Sequence, residues 1–226
     1  MTTDGAAIII GYGPGVGHAV AEAFARRGHA LALLARDTKK LEAAVERFAR
    51  CGDIARSFPV DASDVPALAA ALAKVRDAMG DAHVLVYNAA HWRPGPVLAT
   101  DPGDFDRDLR LDVTGALVAA RWAAPPMVAR GKGTILFTGG GLALYPSPDA
   151  PSLSIGKAGI RALALMLAAE LAPAGVRVGT VTIAGNVAAG SDFSPDLIAQ
   201  SFMRLHDTPP DPATAEILFR GVARPA

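Results

Sequence analysis

The sequence predicts a three-layer α/β/α fold on a doubly wound parallel sheet, and three observations predict it. Short apolar runs rich in Val, Ile and Leu alternate with longer segments of helical period, the pattern of repeated strand–helix–strand units. Glycines stand at positions 11, 13, 15 and 17, directly after the first such run. The 226 residues are 51% hydrophobic and carry 22 basic against 22 acidic side chains, which suits one large core without excess charge of either sign. A single domain over residues 1–226 is the economical expectation.

The first strand is Ala6–Ile10, and the helix after the glycines buries Val16, Val20, Ala23 and Phe24 at i, i+4, i+7, i+8 spacing until Gly28 ends it. A second strand, Ala30–Ala35, leads into a helix over Thr38–Arg50 and a third strand near 54–59. Val65, Leu68, Leu72, Val75 and Met79 mark the next helix face, which Gly80 closes before a fourth strand at 84–87. Residues 104–130 read as one long helix, with Pro125 and Pro126 expected to kink or reset it near its end. A fifth strand at 134–138, a very apolar helix at 152–171, a sixth strand at Val176–Ile183 and a short last one at Glu216–Phe219 complete the series. In such sheets ligands sit beyond the carboxyl ends of the strands, so the loops after strands five and six are the expected substrate rim.

Composition narrows the function classes. Balanced charge gives no basic footprint for nucleic acid, so a small-molecule substrate is expected. No apolar run approaches the roughly 18 residues of a membrane span, and Met1 to Asp4 lead into the first strand without a basic leader; a cytoplasmic protein without a membrane partner is expected. Cys51 stands alone, and His18, His29, His83, His91 and His206 are scattered without ligand spacing, so neither a disulfide nor a metal site is expected.

The segment from Ile8 through Gly11, Gly13, Gly15, Val16 and Gly17 to His18 places glycines between a buried strand and a helix N-terminus. A pyrophosphate needs close backbone approach, free N–H donors and the positive end of a helix dipole at that place, so a Rossmann-like dinucleotide site is the reading. Arg36 follows the second strand, where an acidic side chain would hold the ribose hydroxyls of NAD. A guanidinium there favours the 2′-phosphate, so NADP(H) is preferred. Asp37 keeps NAD(H) open if the strand ends one residue later.

Several stretches in order resemble the short-chain dehydrogenase/reductase family, and the resemblance covers the whole chain. Gly11-x-x-x-Gly15-x-Gly17 is similar to the family's glycine turn, with Ile10 where Thr is usual. Asp61-Ala62 resembles the pair that contacts adenine, Tyr87-Asn88-Ala89-Ala90 resembles the stretch after the fourth strand, and Lys157 sits like the lysine of Tyr-x-x-x-Lys. The resemblance implies Gly185 as a further cofactor contact, Lys157 as the holder of the nicotinamide ribose, and a homodimer or homotetramer paired through its long helices. It also implies a Tyr that passes a proton to the substrate oxygen, a Ser that steadies that oxygen and an Asn in the long helix. Their positions hold Leu153, Gly140 and Asp112, and Ala189 stands where a Thr would bind the carboxamide.

Leucine donates no proton, and a placed acid or base contributes roughly 10²–10⁴-fold. Two functions follow from that. One is an oxidoreductase with a relocated donor, for which Tyr145, His91, Asp112, Tyr87, Ser152 and Ser154 are the candidates beside Lys157. The other is a dinucleotide-binding sensor or partner subunit without turnover. For several candidates a bland role stands beside the chemical one. Tyr145 can be a lid or interface aromatic, His91 a packing residue, Ser154 a helix cap and Lys157 an ordinary helix lysine.

Overall fold

In the computed structural model, which describes residues 5–221, seven strands form one parallel sheet. These are β1 (Ala6–Ile10), β2 (Ala30–Ala35), β3 (Ala55–Pro59), β4 (Ala82–Tyr87), β5 (Gly133–Gly140), β6 (Val176–Ile183) and β7 (Glu216–Phe219), in the order β3-β2-β1-β4-β5-β6-β7. Residues 1–4, expected to lead into the first strand, lie outside the described residues. The strand order reverses between β1 and β4, and a crevice opens beyond the carboxyl ends of strands at such a reversal.

Helices cover both faces because strand residues alternate sides. Ala6, Ile8 and Ile10 of β1 join a core with α3 (Val65–Met79), α5 (Gly115–Arg130) and α6 (Pro151–Leu171). Ala7 and Ile9 join the opposite core with α1 (Val16–Ala25), α2 (Thr38–Arg50) and α7 (Pro195–Asp207). The expected three-layer α/β/α architecture is therefore present, with strands buried on both sides.

The expected single helix over 104–130 is two helices joined by a wider turn. α4 (Pro102–Leu109) passes through a π-helical turn, Arg110–Thr114, into α5. Two groups distant in sequence hold that turn. The buried Tyr87 hydroxyl donates to the Leu111 carbonyl, and a Cβ on Gly115 would collide with that same hydroxyl. The proline pair does not break α5, which continues to Arg130 and ends at Gly131 in the left-handed region. Pro126 has no N–H for the Trp122 carbonyl, and Arg76 of α3 donates to that carbonyl instead, at 3.0 Å.

The expectation that no run approaches the length of a membrane span needs correction. By length and composition, the helical stretch Pro151–Ala174 is apolar enough to cross a membrane. In this fold Ile160, Ala164 and Ala168 bury it in the core. Arg161 on the same helix donates to both carboxylate oxygens of Glu216, at 2.8 and 2.6 Å.

Candidate functional site

Two adjoining cavities of about 330 and 740 Å³ line the carboxyl edge of the sheet at the strand reversal, with Gly13, Pro14, Asn88 and Ala90 in the walls of both. Asn88 fixes the partition: its side-chain amide donates to the Gly11 carbonyl at 2.8 Å and accepts from Thr138 Oγ1 at 2.8 Å. The turn after β1 is thereby tied to the end of β5.

The glycines of that turn divide by what surrounds them. Gly11 has φ +80° and no room for a Cβ against the Ala89 backbone, and a Cβ on Gly17 would press the Gly11 carbonyl at 3.0 Å. Those two are glycine for packing. Around Gly13 and Gly15 no protein atom lies within 4 Å of a would-be Cβ, so their bareness faces the cleft. α1 begins beside them with no side-chain cap and no acid in its first turn, whereas Asp37 and Asp64 cap α2 and α3. An uncapped N-terminus next to bare backbone has the donor chemistry of a phosphate cradle.

The smaller cavity holds the other predicted cofactor residues: Arg36, Asp61, Ala62 and Ala89 all line it. β2 ends at Ala35, so Arg36 is the first residue beyond the strand, and among the described residues no carboxylate lies within ion-pair reach of it. Asp37 is committed elsewhere. Its carboxylate accepts from the Lys40 backbone at 3.1 Å and pairs with the Lys40 ammonium, and the backbone bond leads in holding it below the usual carboxylate range. Burial pushes the Asp61 carboxyl up, but two hydrogen bonds from Ser63 and the nearby Arg36 charge outweigh it and leave the group low. Asp61 is thus held ionised.

Val16, Gly17, Lys157 and Gly185 line the larger cavity. Lys157 reaches in from α6 and donates from Nζ to the Thr138 carbonyl at 2.7 Å. Gly185 has no space for a Cβ because the Phe193 ring packs on it. Leu153 stands one turn before Lys157 on the same wall, and Gly140 faces the lysine stem, with a would-be Cβ 3.3 Å from its Cγ.

The candidate proton donors separate. Tyr145 lines the larger cavity and is 69% exposed at its mouth. Asp112 lies behind it, 2% exposed, in the π turn. Three others are engaged elsewhere in the fold. Tyr87 is fully buried with its hydroxyl bound to Leu111, and burial raises its pKa. Ser152 donates to Asp108 at 2.8 Å, and Ser154 spans the Ala150 carbonyl and the Ser147 amide at the start of α6. His91 is not among the residues lining either cavity, although Ala90 and Trp92 on each side of it are.

Sequence reasoning missed most of the apolar wall. Trp92, Leu142 and Val187 come from three different loops and converge on the larger cavity, with Trp92 59% exposed. The rule that ligands sit beyond the strand ends points to those loops, but no spacing within any one of them marks the residue that turns inward.

A family profile described as short chain dehydrogenase matches residues 5–191. The chain is 32% identical over 222 residues to 2-(S)-hydroxypropyl-CoM dehydrogenase 3 of Xanthobacter autotrophicus, an alignment covering 93% of this chain and 87% of that protein. It is 31% identical over 211 residues to that organism's inactive 2-(S)-hydroxypropyl-CoM dehydrogenase 2, covering 88% and 90%. Among solved structures, a metagenomic short-chain oxidoreductase in complex with NADP superposes with TM-score 0.86 at 28% identity, covering 98% of this chain and 99% of that one.

Proposed function

The chain belongs to the short-chain dehydrogenase family, and we propose that it is an NADP(H)-dependent oxidoreductase of a small carbonyl or alcohol that works without the family's tyrosine. The carrying observation is the pair of adjoining cavities in which Gly13 and Gly15 present bare backbone and Arg36 presents an unpaired guanidinium. Gly13, Gly15 and the α1 N-terminus hold the pyrophosphate, Asp61 and Ala62 flank the adenine, and Arg36 takes the 2′-phosphate. Asn88 and Ala89 set the floor, and Lys157 and Gly185 border the nicotinamide half. The cofactor supplies or accepts the hydride; the protein orients it, excludes water and manages the proton.

Arg36→Asp tests the phosphate assignment. Fluorescence titration is expected to weaken NADPH by about tenfold or more relative to NADH, since charge-assisted hydrogen bonds contribute about 1.5–3 kcal/mol. An unchanged preference would place the phosphate elsewhere.

A second reading, a dinucleotide-binding sensor or partner without turnover, is favoured by one observation. On the resemblance, Leu153 and Gly140 take the places of the family's Tyr and Ser, and neither carries a titratable group. One relative is itself called inactive. Tight NADPH binding with no oxidation of it by any carbonyl would select this reading. In either case a homodimer or homotetramer is proposed, supported by exposed Leu117 and Val128 on α5 and Ile155 and Met166 on α6; a monomer in sedimentation velocity would contradict it.

A further inference from the structure

We propose that Lys157 Nζ, backed by the buried Asp112 carboxyl, gives the proton to the substrate oxygen; this rests on the reductase reading above. Among the described residues lining the larger cavity, Lys157 is the one charged side chain. The Thr138 carbonyl fixes its ammonium with one hydrogen bond of 2.7 Å, which leaves two N–H groups for other partners. Opposite its stem stands Gly140, where a would-be Cβ would lie 3.3 Å from the lysine Cγ, so no side chain at that end of β5 comes between the lysine and the cavity.

Asp112 is the unusual member. Its two carboxylate oxygens are buried without a well-formed hydrogen bond, and only the His91 backbone amide is turned towards them, a costly state for an ionised carboxylate. The π turn aims it at α6, where a Cβ on Gly156 would collide with its Oδ2, one residue before Lys157. The groups facing it are Lys157 from α6, Asp108 from α4, the Tyr87 hydroxyl from β4 and the His91 backbone from the loop after β4. Burial pushes the Asp112 carboxyl up to about 7, with Lys157 and the His91 amide pulling down and Asp108 adding to the rise. Burial pushes the lysine the other way, and the Asp112 charge partly restores it. The pair therefore keeps one proton to hand near neutrality, and an ammonium weakened in this way is a better acid for an alkoxide.

The step balances. With NADPH bound, the cofactor would supply a hydride to the carbonyl carbon, and the C=O π pair would form an O–H bond with a Lys157 proton. One lysine N–H bond breaks, leaving a neutral amine. The neutral amine, which opens on the cavity, is reprotonated from solvent, and the Asp112 charge favours the return of that proton. The sum is NADPH, carbonyl and one proton going to NADP and alcohol. In the oxidative direction the same groups run in reverse.

Two readouts test this on the full chain. The first needs no substrate: competitive acetylation with acetic anhydride, read at Lys157 by peptide mass spectrometry. Asp112→Asn removes the charge that supports the ammonium, so Lys157 is expected to acetylate several-fold faster at mildly alkaline pH; Asp112→Ser serves if the Asn variant does not fold. Unchanged reactivity overturns the coupling.

The second is NADPH oxidation with an aryl alkyl ketone and a 1,2-diketone. Lys157→Arg keeps a cation for the ribose but holds its proton too tightly, so turnover is expected to vanish while NADPH still binds. Asp112→Asn is expected to displace the pH profile of kcat. Wild-type turnover in Lys157→Arg, an unmoved profile, or loss in Tyr145→Phe instead overturns the donor role. If the wild type oxidises no NADPH while the acetylation shift is present, the reductase reading fails and the donor role falls with it, leaving a coupled pair without chemistry.

Discussion

Gly11 and Gly13 belong to one turn and are glycine for different reasons. At Gly11 the positive φ and the Ala89 backbone exclude any side chain, whereas Gly13 has ordinary backbone and empty surroundings. Gly11→Ala is expected to destabilise the fold by about 2 kcal/mol or more, combining left-handed backbone strain with overpacking. Gly13→Ala should stay within about 0.5 kcal/mol. Urea denaturation compares the two, and equal losses would mean that Gly13 serves packing after all. The sequence made the glycine cluster legible but could not sort it, because the atoms that constrain Gly11 lie 78 positions later in the chain. Asp112 is similar: its identity is plain in the sequence, while its buried oxygens depend on Gly156 and Tyr87.

The elements were legible where periodicity is local. β1, β2, β6 and β7 fall at the expected residues, and α1 and α3 bury the expected faces. The break in the long helix was not legible. Hydrophobic spacing runs on through 104–130, and the π turn exists because Tyr87 and Gly115 meet across the core. Wider turns of this kind gather at functional sites, and here the turn carries Asp112. Tyr87→Phe removes the hydroxyl that donates to the Leu111 carbonyl in the turn. The expected cost is about 1–3 kcal/mol in urea denaturation. A neutral substitution would show that the turn does not depend on this bond. The proline pair misled in the opposite direction, since Arg76 satisfies a carbonyl that no local rule could see provided for.

At the scale of the whole molecule, alternating strand and helix segments predicted both the layers and the end of the sheet that opens into a cleft. The strand reversal between β1 and β4 places Arg36 and Asp61 on one side of Asn88 and Lys157 and the apolar wall on the other, with the glycine turn reaching both. That Arg36, Asp61 and Asn88 line one edge of the sheet was readable because each sits at a fixed offset from a strand end. The apolar wall was not, because loop side chains converge only after folding. The central claim is a dinucleotide held by that cleft, and calorimetric titration of NADPH and NADH into the wild type and Gly13→Val tests it most directly. The account predicts binding at one site per chain with NADPH preferred, and a Gly13→Val protein that melts like the wild type yet binds NADPH about tenfold or more weakly, 1.4 kcal/mol at least. No binding by the wild type, or undiminished binding by a folded Gly13→Val variant, would contradict it.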